Sequence, residues 1–185
     1  MLLKGKDVIL SPIEEEDIDI IHTFTSDYEK ISPIFSTHIR SKVYWKKKYQ
    51  DTGLWDDNWG MLKIIDKNKN ILVGVIWFME AIYYTEGYEV GFNIFNNLSK
   101  NNKIVEDALI IFTSYLFETF NINRLCCNTH HDMSNNSKNN FTKRSGYVYE
   151  GKMRKAIFIR GKLKDYFLYS ILREESKCLN DALKV

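Results

Sequence analysis

Apolar and polar positions alternate over several short stretches of the chain, which is the pattern of strands that bury one face. The predicted strands are residues 6–10, 59–65, 72–80, 88–95, 124–129, 147–159 and 165–172. A polar run at residues 66–70 separates the second strand from the third, and Arg160-Gly161-Lys162 separates the last two. Each of these two pairs is therefore predicted to form a hairpin.

Longer apolar periods predict helices between the strands. Ser11-Pro12, followed by a cluster of acids, predicts the start of a first helix that runs to about Thr25, and residues 41–50 predict a second. Residues 102–120 carry apolar side chains on two neighbouring stripes, so this third helix is expected to be largely buried. Because it joins two strands, it predicts a crossover between parallel strands. A short fourth helix is predicted to open within the Asn-rich residues 134–140 and to end at Gly146.

Length and composition limit the domain organisation. The chain has 185 residues, and 44% of them are apolar or aromatic. This is enough for one hydrophobic core, but the chain is too short for two domains of ordinary size. We therefore predict a single α/β domain over residues 1–175 and a polar tail over residues 176–185.

Charge and targeting signals exclude several classes of partner. Lys and Arg number 26 and Asp and Glu 24, so the net charge of +2 gives no strong case for a nucleic acid or a membrane surface. The first residues lack the apolar core of a signal peptide, no run reaches the length of a membrane span, and the three cysteines are an odd number without metal-type spacing. We expect a cytoplasmic protein with reduced thiols and no membrane partner. Residues 45–49 are basic and aromatic, but a solvated helix face with Trp45 and Tyr49 on its apolar side explains them better than RNA binding.

An anion site is predicted at the start of the third helix. Lys100-Asn101-Asn102-Lys103 leads from a strand into the apolar period that begins at Ile104. The first N–H groups of a helix have no partner within the helix, and the helix dipole favours negative charge there. A phosphorylated cofactor is a natural ligand for such a position.

Several local sequences carry a family resemblance over nearly the whole chain. They are Glu89-Val90-Gly91-Phe92, Tyr115-Leu116-Phe117 with Asn121-Ile122-Asn123-Arg124, the run from Gly146-Tyr147 through Glu150-Gly151 to Arg154, and Asp165 with Tyr169-Ser170-Ile171-Leu172. Together they resemble the GNAT superfamily of N-acetyltransferases, and most closely its branch of ribosomal-protein and small-amine acetyltransferases. The resemblance implies a mixed, centrally splayed sheet flanked by helices, and acetyl-CoA as the acetyl donor.

The sequence departs from the family pattern in two places. The glycine-rich loop that cradles the cofactor pyrophosphate in that family corresponds to Lys100-Asn101-Asn102-Lys103-Ile104-Val105, where Asn101 and Lys103 stand in place of the two glycines. Lys100 and Lys103 could instead supply charge-assisted contacts to the phosphates. In the following helix Asn135 matches the family's Asn, but Lys138 stands in place of the Ser that protonates the CoA thiolate. Ser137 or Ser134 could substitute for it, or the thiolate could leave with water as the acid.

The resemblance also assigns catalytic positions. Glu89 matches the family's acidic residue at the beginning of the splayed strand and is the best candidate for the base, the alternative being a surface carboxylate at a strand end. A backbone N–H from Phe92, Asn93 or Ile94 would bind the thioester oxygen. His130 and His131 face opposite ways and are expected to be structural or solvent-facing rather than a base or a metal ligand.

These observations predict transfer of an acetyl group to a primary amine. The acceptor is expected to be a protein N-terminus, a polyamine or an antibiotic-like small amine. The alternative is a catalytically weakened protein of the same fold that senses CoA or binds another protein. A homodimer formed through the closing hairpin or an edge strand is a further expectation.

Overall fold

A computed structural model describes residues 1–27, 39–81, 87–95, 102–130 and 141–183, without the side chains of Asn102 and Phe141. Its strands are β1 (Leu3–Lys4), β2 (Val8–Pro12), β3 (Trp59–Asp66), β4 (Ile71–Glu80), β5 (Gly87–Ile94), β6 (Arg124–Cys126), β7 (Val148–Ile159) and β8 (Lys162–Leu172). Its helices are α1 (Asp17–Ser26), α2 (Lys42–Thr52), α3 (Asn102–Thr119), α4 (Phe141–Arg144) and α5 (Leu179–Ala182), with a 3₁₀ turn at Arg173–Glu175.

The strands form one mixed sheet in the order β1-β2-β3-β4-β5-β6-β8-β7. Its neighbouring strands are antiparallel except for β5 and β6, which run parallel and are joined through α3. The predicted fold class, both hairpins and the crossover are thereby confirmed.

Side chains alternate across the sheet, so each face carries its own apolar cluster. On one face Phe78 and Val90 pack with Leu109 and Phe112 of α3, as its two apolar stripes predict. On the other face Val75 packs with Ile21 of α1 and with Trp45 of α2. Tyr49 lies against this second cluster too, which confirms the apolar side predicted for α2.

The predicted start of the first helix was wrong. Ser11 and Pro12 belong to β2, where they pair with Lys63 and Leu62 of β3, and α1 begins only at Asp17. Pro12 is tolerated because it is the last residue of its strand and lies beyond the short reach of β1, so its missing N–H breaks no ladder there.

Strand β6 is shorter than predicted, because it ends at Cys126 and not at Thr129. Beyond Cys126 the chain keeps one isolated bridge, between Thr129 and Phe167 of β8. The closing hairpin turns at Arg160 and Gly161, whose φ angles are +47° and +77°. Such a two-residue turn matches the twist of the strands, and it lets β8 begin at Lys162, earlier than predicted.

The end of the described chain folds back onto the domain. Leu179 and Leu183 pack against the cluster on the α3 face, and Ala182 is fully buried. None of the helices among the described residues combines the length and the apolar character that crossing a membrane requires.

Candidate active site

The parallel strands β5 and β6 pair over three residues and then separate. Gly87, Tyr88 and Glu89 lie opposite Arg124, Leu125 and Cys126. Beyond this point β5 continues to Ile94 beside β4, whereas the chain after Cys126 follows β8 through the bond from Cys127 N–H to the Tyr169 carbonyl. Within the described ranges no strand pairs with the β6 side of β5 beyond Glu89, so backbone groups from Phe92 to Ile94 line an opening in the sheet.

Glu89 lies at the narrow end of this opening. Val90 points into the cluster beneath α3, so its neighbour Glu89 faces the α1 and α2 side of the sheet. The Tyr166 hydroxyl donates a hydrogen bond of 2.9 Å to Glu89 Oε1. Burial, followed by the negative charge of Glu89, raises the pKa of Tyr166 well above its usual value, so this hydroxyl stays protonated at neutral pH.

A second carboxylate on the same face is ion-paired. Arg124 Nη1 and Ser170 Oγ each donate to Glu150 Oε1 at 2.7 Å. Burial alone would raise the pKa of Glu150, but the hydrogen bonds from Arg124 and Ser170 outweigh it and lower the pKa. Glu150 is thus neutralised by a fixed cation, whereas Tyr166, a neutral group, holds Glu89.

The two adjacent cysteines lie on opposite sides of the sheet. Cys127 belongs to the cluster beneath α3, and Cys126 is the neighbour of Glu89 across the strand pair. Burial raises the pKa of Cys126, and it raises the pKa of Cys127 to about 12. Both thiols are therefore protonated at neutral pH and are poor nucleophiles.

The indole of Trp77 covers strand β5 between Glu89 and the end of the strand. A Cβ atom at Gly91 would overlap the Trp77 side chain, which crosses from β4 onto β5 at this point. Only a glycine allows this approach, which explains the Gly of the Glu89-Val90-Gly91-Phe92 sequence. The indole gives this face of the strand an apolar wall.

The beginning of α3 lies past the far end of β5. Ile104 and Val105 are buried in the core, so their contribution to an anion site is restricted to their backbone N–H groups, while Lys103 is exposed. The N–H groups of Asn102, Lys103, Ile104 and Val105 belong to the first turn, which has no acceptors within the helix.

Several predicted site residues lie outside the described ranges. They are Lys100 and Asn101 before α3, and Ser134, Asn135, Ser137 and Lys138 before α4. Short helix α4 is itself fixed to α3 by an ion pair between Arg144 and Glu106, and Gly146, with a φ of +94°, ends it as predicted.

Comparison with known proteins identifies the fold and the family. The acetyltransferase (GNAT) domain family matches residues 7–148. A GNAT-family acetyltransferase from Bacillus anthracis is similar in structure with a TM-score of 0.71 and 22% identity, covering 95% of this chain and 100% of that one. RimL, an N-acetyltransferase of the ribosomal protein L7/L12 solved with coenzyme A, has a TM-score of 0.73 and 16% identity over 93% of this chain and 98% of its own.

A spermidine N-acetyltransferase from Vibrio cholerae, solved with CoA and spermine, has a TM-score of 0.69 and 18% identity over 91% of this chain and 97% of that one. A search among curated proteins found no match. These structural identities are low and show the shared fold, whereas the family match spans most of the sequence. The chain therefore belongs to the GNAT family of acetyltransferases, enzymes that take their acetyl group from acetyl-CoA.

Proposed function

We propose that this protein transfers the acetyl group of acetyl-CoA directly to a primary amine, with Glu89 as the base acting through a water molecule. The observation that carries the proposal is the position of Glu89 at the narrow end of the β5–β6 opening, held by the neutral Tyr166 hydroxyl. No cation among the described residues pairs with Glu89, so its carboxylate can accept a proton from an incoming ammonium group, whereas the carboxylate of Glu150 is paired with Arg124.

The reaction needs no covalent enzyme intermediate. The amine attacks the thioester carbon, the carbonyl oxygen becomes negatively charged, and a backbone N–H from Phe92, Asn93 or Ile94 binds it. Collapse of this intermediate breaks the carbon–sulfur bond and releases the CoA thiolate. Ser137 is our candidate for the group that protonates the thiolate, and the buried, protonated Cys126 and Cys127 are unsuited to act as acyl carriers.

The cofactor phosphates would bind at the start of α3. The N–H groups of Asn102, Lys103, Ile104 and Val105 provide donors there, and Lys100 and Lys103 would add positive charge. We assign Asn101 to the same loop, and we assign Asn135 and Lys138 to the positioning of the pantetheine arm and the phosphates.

The acceptor is a primary amine, and two of the similar proteins suggest its class. RimL acts on a ribosomal protein and the Vibrio cholerae enzyme on spermidine, so a protein N-terminus and a polyamine are the first acceptors to test. Antibiotic-like small amines are a third class.

We also propose that the protein forms a homodimer and acts in the cytoplasm. Strand β7 lies at the end of the sheet with its outer edge unpaired in the described chain, and Met153, Phe158 and Leu163 of the closing hairpin are exposed. Cys126, Cys127 and Cys178 are free thiols, which fits a reducing compartment.

The test is acetyl transfer by the wild-type chain and by Glu89→Gln, measured with a short peptide amine, spermidine and an aminoglycoside. Removing a general base typically costs a hundredfold or more, so kcat for the accepted amine should fall by about that factor. Glu118→Gln is the matched control because it removes the same charge from an exposed position on α3, and it should keep wild-type activity.

Two results would count against the proposal. If Glu89→Gln retained activity close to that of Glu118→Gln, Glu89 would not be the base. If the wild-type chain bound acetyl-CoA and acetylated none of the amines, the CoA-sensing alternative would be favoured.

A further inference from the structure

The side chain of Asn93 is a buried amide without an evident structural role. It is only 1% exposed, and neither its Oδ1 nor its Nδ2 has a hydrogen-bond partner among the described residues. Folding normally pairs such groups, because desolvating an amide without a new hydrogen bond is unfavourable. An unpaired carboxamide in a native fold therefore calls for an explanation, and a ligand is one.

The position of Asn93 favours a ligand of the proposed reaction. Residues Glu89, Gly91 and Asn93 point to the same face of β5, because side chains on a strand alternate. Asn93 is four residues past Glu89, roughly 13 Å along the strand towards the start of α3. It lies opposite Val75 of β4, and on its other side is the opening left where β6 diverges.

The two unpaired atoms define the chemistry of the ligand. Oδ1 needs a donor and Nδ2 needs an acceptor, so the ligand should present an N–H and a C=O on the same side. Consecutive amides of an extended peptide do this, and two amides separated by two methylenes do it when that linker is bent. A polyamine offers donors only and would leave Nδ2 unpaired.

We infer that the Asn93 carboxamide binds one N–H and one C=O of an extended, amide-bearing substrate. This inference rests on the proposed function, and two sources could supply the amides. One is the pantetheine arm of CoA, which carries two secondary amides a few bonds from its sulfur. The other is the backbone of a peptide acceptor.

The first test is the thermal stability of the ligand-free protein. Asn93→Leu replaces an unpaired amide with an apolar group of similar size, so the melting temperature should rise. The matched control is Thr113→Val, which breaks a buried 2.7 Å hydrogen bond between Thr113 Oγ1 and the Tyr147 hydroxyl on the other face of the sheet. Its melting temperature should fall, because the Tyr147 hydroxyl is left unpaired. If Asn93→Leu lowered the melting temperature as Thr113→Val does, the inference would be overturned.

The second test identifies the source of the amides by titrating wild-type and Asn93→Leu protein with CoA and with phosphoadenosine diphosphate, the part of CoA without the pantetheine arm. Loss of both hydrogen bonds should weaken binding about tenfold or more. Weaker CoA binding with unchanged nucleotide binding assigns the site to pantetheine. Unchanged CoA binding with a raised KM for a peptide acceptor, but not for spermidine, assigns it to the acceptor.

Wild-type and variant proteins that behave alike with CoA and with the peptide would overturn the inference and leave the proposed function intact. A wild-type protein that binds no CoA would instead contradict the proposed function. The two failures are therefore distinguishable.

Discussion

Glu89 and Tyr166 meet across the end of β6, and their contact distinguishes two otherwise similar carboxylates. Glu150 accepts its hydrogen bonds from a cation and a serine, while Glu89 accepts one from a phenol. The phenol orients Glu89 without neutralising it. Tyr166 is therefore a positioning residue for the proposed base.

At the scale of single residues, we predict the effect of Tyr166→Phe. The variant keeps the ring but loses the hydrogen bond to the charged form of Glu89, so kcat should fall about tenfold with little change in the KM for acetyl-CoA. Steady-state kinetics at varied concentrations of acetyl-CoA give both readouts.

Tyr149→Phe is the matched control. Tyr149 lies in the same hairpin, on the opposite face, where its ring packs at a tilt against the ring of Tyr169. Equal values of kcat and of the KM for acetyl-CoA in the two variants would refute the positioning role.

The sequence led to some of these residues and not to others. Alternation around Gly91, together with the family resemblance, was sufficient to single out Glu89. Tyr166 is 77 residues away in sequence, and its contact depends on β8 lying beside β6, which no local pattern specifies. Asn93 was predicted only through its backbone, because burial without a partner is visible only in three dimensions.

Among the elements, β2 is fixed to α3 by one carboxylate. The N–H groups of Asp7 and Val8 donate to Asp107 Oδ2 at 2.7 and 3.0 Å. Burial raises the pKa of Asp107 above its ordinary value of 3.8, although these two hydrogen bonds act in the opposite direction. Asp107 thus accepts hydrogen bonds from one buried and one half-buried N–H group, at the cost of desolvating its own charge.

For this element we predict that Asp107→Leu lowers the free energy of unfolding by about 2–4 kcal/mol, because the buried N–H of Val8 and the half-buried N–H of Asp7 lose their acceptor. Asp107→Asn retains an acceptor oxygen and should be far less damaging. Urea unfolding followed by circular dichroism measures both, and equal losses would show that the acceptor is unimportant.

The same pair of variants tests the pKa. A raised pKa means that the folded state binds the proton more tightly than the unfolded chain does. Ionisation of Asp107 therefore lowers the stability of the wild-type protein as the pH rises from about 3.8 through the higher folded pKa. Asp107→Asn should lack this contribution, and an unchanged pH dependence would contradict the assignment.

The elements themselves were largely predictable from periodicity and turns. The β3–β4 and β7–β8 hairpins are signalled by polar or glycine-containing turns between alternating strands, and α3 by its two apolar stripes. The exception is the predicted start of the first helix, because Ser11-Pro12 is favourable both at a helix start and at a strand end. Pairing with β3 decides between them, and that pairing joins residues about 50 positions apart.

At the scale of the whole molecule, the opening follows from the order of the strands. Among the described strands β5 and β6 form the one parallel pair, which is three residues long, and β6 then leaves β5 to follow β8. The divergence places Glu89 at one end and the start of α3 beyond the other. An extended cofactor between the two ends would run along the backbone of β5 and bring its thioester to the proposed base.

Titration calorimetry of the purified protein with acetyl-CoA tests this account most directly, because binding requires both the opening and an anion site at α3 that lacks the family's glycines. We predict a single site with a micromolar Kd, and weaker binding of the nucleotide part of CoA alone. Absence of binding at millimolar acetyl-CoA would contradict the account.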